Sequence, residues 1–111
     1  MIEIIVKNFL ENKLSVPVFT EKPSAQTGDY VVLEKTSSGK SNHLPSATIA
    51  FQSYGQSLYQ AAVLNEEVKT AVESLIELDD IRGLTLNSDY NFTDTSTKEY
   101  RYQAIYDIRY Y

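Results

Sequence analysis

With 111 residues, no cysteine and a formal net charge of −5, the chain has the size of one domain, 1–111, burying roughly 65% of the surface its unfolded form exposes. Such a domain holds a core without metal or disulfide, and the absence of cysteine excludes thiolate chemistry. Fifteen acids against ten bases, with no basic block, argue against specific nucleic-acid binding, which needs clustered Lys and Arg.

No stretch approaches the ~20 apolar residues of a membrane span, so no membrane partner is expected. The opening Met1-Ile2-Glu3-Ile4-Ile5-Val6-Lys7 has neither a charged leader nor a cleavage site and reads as no signal peptide; a soluble product made inside the cell is expected. Nine tyrosines and no tryptophan supply stiff amphipathic area suited to half-wet cores and to interfaces.

Ile2, Ile5, Val6, Phe9 and Leu10 form an apolar stripe at helical spacing, which predicts an amphipathic helix over 2–13. Pro17 excludes helix, and Val16-Pro17-Val18-Phe19 reads as a short edge strand, where proline is tolerated. Thr20 to Asp29 is a loop by composition, and Tyr30 to Lys35 a strand. Thr36 to Ser46 is rich in Ser, Gly, Lys and Asn and is expected to form a mobile surface arm of about residues 36–46. Ala47 to Gln52 resumes strand character, with Ile49 and Phe51 inward. The two strands make a hairpin with a long tip.

Ser53-Tyr54-Gly55-Gln56 has the form of a capping box and predicts a short helix to about Val63, with Leu58, Ala61 and Ala62 inward. Asn65 reads as a fresh N-cap before Glu66 and Glu67, so a break is expected there. Val68, Ala71, Val72, Leu75 and Ile76 give the second helix its stripe.

Asp79-Asp80-Ile81-Arg82-Gly83 is the turn into a terminal hairpin. Leu84, Leu86, Tyr90 and Phe92 share the even positions, and after a polar Asp94-Thr95-Ser96-Thr97 turn so do Tyr100, Tyr102, Ala104, Tyr106, Ile108 and Tyr110. Ser88 interrupts the first apolar row and Ile105 the second polar row; either marks a bulge or an interface contact. The expected fold is α+β: a mainly antiparallel twisted sheet of 4–5 strands, with neighbouring strands expected antiparallel and helices packed on one face. Both helical stripes are expected to cover the tyrosine row.

Candidate chemistry is sparse. His43 is the sole histidine and has no sequence-suggested partner for general base work. Asp79-Asp80, with Glu77 nearby, offers half a carboxylate metal site, but adjacent turn residues point apart and no second cluster completes it. Lys40 after Gly39 lacks the spacing of a phosphate loop. A stacking platform built on the tyrosine row would need interleaved cations, and regular alternation puts Arg101 and Arg109 on the opposite face. No catalytic residue, metal or cofactor is expected.

The run Ala47-Thr48-Ile49-Ala50-Phe51-Gln52-Ser53-Tyr54, then Ser57-Leu58-Tyr59-Gln60-Ala61-Ala62, then Val68 to Leu75, resembles the small tail-terminator or tail-completion proteins of long-tailed bacteriophages. The closing Leu86-Asn87-Ser88-Asp89-Tyr90-Asn91-Phe92-Thr93-Asp94 and Arg101-Tyr102-Gln103-Ala104 are similar to Gram-positive phage and prophage versions, sometimes labelled minor capsid or tail components. The likeness spans about residues 29 to 111 and rests on order and spacing.

It implies a non-enzymatic virion protein, assembled in the host cytoplasm. Its expected form is a homo-oligomeric ring, commonly a hexamer, on the last disc of the tail tube, with tail tube and head-tail connector proteins as partners. DNA passing through such a ring would meet an acidic lumen and slide. A ring needs a heterologous interface. The candidates for it are Tyr110 and Tyr111 at the C-terminal edge, with Ile105 and Arg109 on the otherwise polar face. Ser38, Gly39, Lys40 and His43 are the candidates on an arm that orders on assembly. The alternatives are another neck, connector or head-closure component, and a small ligand-binding or regulatory domain using the tyrosine face as a pocket.

Overall fold

The computed structural model describes residues 1–24, 28–41 and 43–111. Residues 25–27 of the expected loop and Asn42 of the expected arm lie outside the described residues. A five-stranded twisted, open sheet runs in the order β1-β2-β3-β5-β4, comprising β1 (Val18–Phe19), β2 (Tyr30–Ser41), β3 (Leu44–Gly55), β4 (Ile81–Asn91) and β5 (Tyr100–Tyr110). Helices α1 (Ile2–Lys13) and α2 (Leu58–Glu73) pack on one face, making the α+β fold, and a 3-10 turn over Ser74–Glu77 leads to β4. All pairings are antiparallel except β1 with β2, which is parallel.

Alternation along the two central strands dictates where the core lies. Ala47, Ile49 and Phe51 of β3 face the same side as Ala104, Tyr106 and Ile108 of β5, in register Phe51↔Ala104, Ile49↔Tyr106 and Ala47↔Ile108. Val68, Val72 and Leu75 press on this floor beside Ile2, Val6 and Leu10 of α1. The helices divide the sheet between them. Helix α2 lies over β3 and β5, whereas α1 sits over β1 and β2 and not over the last strands. Of the tyrosine row only Tyr106 is fully buried, edge-on to Phe51 at 6.0 Å between ring centroids.

The capping box at Ser53 does not form. Ser53 continues β3, buried, and the N-cap is Ser57, whose side chain accepts the Gln60 N–H at 3.1 Å. Gly55 makes the tight turn possible: a Cβ there would lie 2.4 Å from the Ala61 backbone nitrogen. Nor does the helix break at Asn65. That residue is 3% exposed inside a continuous α2, and its Nδ2 donates to Asp89 of β4 at 2.8 Å. A tertiary partner thus outweighs the capping preference of asparagine. Leu58 and Ile76, expected inward, are exposed at 42% and 53%.

Of the expected arm, Thr36 to Ser41 and Leu44 to Ser46 are strand, with His43 in the turn, and do not form an unstructured arm. The β2–β3 ladder continues through Ser38↔Ala47, Gly39↔Ser46 and Ser41↔Leu44 after a register shift between Lys35 and Ser37. Backbone pairing to a partner strand, itself anchored by buried Ala47 and Ile49, orders a segment whose own side chains contribute little burial.

The even-numbered row of β4 is also broken in an informative way. The register shifts between Leu86 and Ser88, so Asn87 is the extra residue of a bulge, and the strand changes phase there. Leu84 and Leu86 oppose Ile108 and Tyr106 on the helix side, whereas Tyr90 opposes Gln103 on the open side. Asp89 now faces α2, where Asn65 and Lys69 hold its two carboxylate oxygens at 2.8 and 2.6 Å.

Replacing Asp89 by alanine should cost about 1–3 kcal/mol, because Asn65 then lacks its partner in a dry setting. Gly55→Ala should cost a similar ~1–3 kcal/mol, since the obstruction is backbone and cannot rotate away. Urea denaturation followed by circular dichroism would measure both.

Candidate functional site

The molecule is a slab of 44 × 25 × 23 Å with a hairpin tip at each end of its long axis. One end carries the β4–β5 turn. There Asp94 accepts the Ser96 and Thr97 N–H groups and the Ser96 hydroxyl, and these bonds, led by the hydroxyl, pull its carboxyl below the usual range. The other end carries the β2–β3 tip and the end of β5.

The residues expected at an interface do not form one patch. Ile105 lies in mid-sheet on the open face, opposite Ala50 and Ser88. Arg109 is on the same face at the end of β5. Tyr110 turns to the helix side and packs on the core, and Tyr111 is 70% exposed. Strand β5 is central, so these residues do not lie on an outer strand; the outer strands are β1 and β4. The arm candidates Ser38, Gly39, Lys40 and His43 do come to the same end as Arg109 and Tyr111, since Gly39 pairs with Ser46 and Ser46 with Arg109. His43 and Lys40 are exposed there, with His43 at a φ of 67° in the hairpin turn.

The open face carries an aromatic cluster that the even-numbered row did not foretell. Phe19, Tyr30 and Tyr54 join edge-on and stacked at 6.0 and 4.6 Å. Arg101 lies between Tyr54 and Phe92, 5.7 and 4.5 Å from their ring centroids. Arg101 and Arg109 do lie on the face opposite Tyr106 and Tyr110, as alternation predicts, but Arg101 is there interleaved with another set of aromatics. The arrangement is nonetheless closed upon itself. Glu99 pairs with both Lys22 and Arg101, Arg101 donates to the Tyr54 hydroxyl, and Tyr30 and Tyr54 are buried against each other. Gln103 links Gln52 to the Tyr90 hydroxyl. With Tyr30 8% and Tyr54 5% exposed, the stack offers a base little free ring face.

Ionisable groups elsewhere serve the fold. Burial first, and then its bond to Glu73 at 2.9 Å, pushes the Tyr106 hydroxyl far above the ordinary tyrosine range. Burial also raises Tyr30, with the neighbouring Tyr54 adding to the effect. The Asp89 and Glu66 carboxylates hold Lys69 above the usual lysine value. Asp79 and Asp80 are exposed in their turn, and among the described residues no group of three acidic or histidine side chains is placed to hold a metal ion.

One polar concavity stands apart, at the β2–β3 end of the open face. It encloses about 310 Å³ among Ser46, Thr48, Arg82, Asp107 and Arg109. Alternation along β5 puts Arg109 on the polar face, whereas Arg82 falls in the stretch that the sequence marks as a turn. The signal that pointed to it was Gly83, since an isolated glycine entering a strand marks a bulge or a close approach.

No family model matches the chain, and no curated protein matches it.

The raised tyrosines and Lys69 give a signed expectation. The unfolded chain releases these protons first, so their stabilisation is complete below pH 10.0, the ordinary tyrosine value, and is lost as pH rises through the folded values. Urea midpoints between pH 8 and 11 should fall in the alkaline limb, and Tyr106→Phe should flatten that fall without abolishing it.

Proposed function

We propose that the protein is a structural component of a long-tailed phage or prophage: a tail terminator that caps the tail tube as a ring and offers the surface joining tail to head. The reading rests on the sequence resemblance over residues 29 to 111, and the observation that carries it is the shape of the slab. One sheet face is covered by helices, while among the described residues both lateral strands leave backbone free. Strand β1 pairs with only two residues of β2, at Val31 and Val32, and β4 pairs on one side only. Such a body can meet neighbours through two unlike edges, as a head-to-tail ring requires. The long β2–β3 hairpin is then the element that reaches the adjoining disc. A non-catalytic role, a homo-oligomer in the virion and assembly in the host cytoplasm belong to the same proposal.

Shortening the hairpin tests it. Joining Gly39 to Ser46 through a two-residue Asn-Gly turn removes only the pairs beyond the reach of β5. The monomer should keep its circular dichroism spectrum. Phage carrying the change should make overlong or headless tails in electron micrographs. Normal infectious particles would overturn the role given to the hairpin. Full-length tails beside separate, leaky heads would assign the protein to a head-side connector instead.

A further inference from the structure

The concavity at the base of the hairpin holds two guanidinium groups that the fold brings together by a specific device. The β4 register shifts between Ile81 and Gly83, so Arg82 is an added residue opposite Arg109. A bulge of this kind re-aims a side chain, and here it sends Arg82 into the same concavity as Arg109. Gly83 completes the device. A Cβ at that position would lie 2.5 Å from one terminal nitrogen of Arg109 and 3.0 Å from its Nε, so the guanidinium lies across bare backbone.

Neither arginine has a carboxylate partner among the described residues. Lys7, Lys22, Lys35, Lys69 and Arg101 all form ion pairs; Arg82 and Arg109 do not. Arg109 reaches only the Thr85 hydroxyl, at 3.5 Å. The Nε of Arg82 is shut off from solvent and makes no hydrogen bond. A buried donor left unpaired is costly, and two like charges lining one cavity add to the cost unless an anion lies between them.

Asp107, the acid in the cavity wall, is already engaged. Its two oxygens accept from the Thr48 hydroxyl at 2.7 Å and from Asn87 Nδ2 at 3.1 Å. Two guanidinium charges against this one carboxylate leave a single positive charge over. That balance suits a monoanion and disfavours a phosphate dianion beside Asp107. The planar fork of arginine matches a carboxylate through two parallel bonds.

We propose that this concavity binds a carboxylate, the Asp or Glu side chain of a partner protein, between Arg82 and Arg109. The inference stands whether or not the protein forms a ring, because it rests on the bulge, the glycine and the unpaired guanidiniums alone.

The test is a titration of the full chain followed by the arginine Nε–H signals in nuclear magnetic resonance, at constant ionic strength in chloride. Acetate should shift Arg82 and Arg109 saturably and leave Arg101, already paired with Glu99, in place. A blocked Gly-Glu-Gly tripeptide should bind several-fold tighter than acetate, whereas equal affinities would move the assignment to a small free acid. Arg82→Gln should weaken binding roughly tenfold, and Arg82→Lys should restore part of it. Gly83→Ala displaces only the flexible end of Arg109, so it should weaken binding while the unfolding midpoint stays near that of the unmodified protein. Saturable shifts with inorganic phosphate but not acetate would overturn the carboxylate assignment. No saturable shift with any of the three, in protein whose circular dichroism shows it folded, would overturn the site.

Discussion

Burial of Tyr106 beneath α2 is the constraint on which the remaining architecture depends. The ring lies on the central strand pair, edge-on to Phe51, and its hydroxyl reaches Glu73 near the end of the helix. This contact seats the helix across β3 and β5, the two strands that every other strand builds outward from. With α2 seated, Gly55 must be bare because the helix starts hard against the end of β3. Asn65 and Lys69 then stand over β4 and fix which of its residues can turn toward the helix. An aromatic side chain suits the position because it fills a large volume while its polar end finds a partner.

The bulges decide what the open face contains. Strict alternation would have put Tyr90 and Phe92 on the helix side of β4 and left only polar side chains on its open side. Asn87 reverses the phase of β4, so these two rings join Arg101, Tyr54 and Tyr30 on the open face, and Asp89 turns toward α2 and a pair of donors. The Arg82 bulge has the opposite character, bringing charge to charge without supplying a counterion. One irregularity thus completes a network, and the other leaves donors unsatisfied. Bulges that stabilise packing and bulges that aim a side chain outward coexist on the same strand.

Much of this fold was legible in the residues, and the failures share a cause. The α1 stripe, the proline-marked edge strand, the polar turn after Thr93 and the α+β class follow from periodicity and turn chemistry, which act locally. The continuity of α2 through Asn65 depends on Asp89, 24 residues away. Order in Thr36 to Ser41 and Leu44 to Ser46 depends on a partner strand rather than on their own composition. The interruption at Ser88 announces the neighbouring bulge, but an alternation pattern alone does not show that the phase of Tyr90 and Phe92 is reversed beyond it. Of the concavity, Arg109 was visible as a charge on the polar face. Arg82 was not, because a side chain in a turn has no periodicity to give its direction.

The bare rims of the sheet have a consequence for how the protein behaves at high concentration. Beyond Val32 the outer side of β2 has no strand paired to it among the described residues and offers hydrogen-bonding backbone, the usual template for indiscriminate stacking. Glu34, Lys35 and Lys40 stud that rim, and the Thr36 irregularity twists it; on the far side Asn87 does the same for β4. Charged and kinked margins discourage a stray strand from zipping on. Local unevenness of the two margins thus works against edge-to-edge association as the concentration rises.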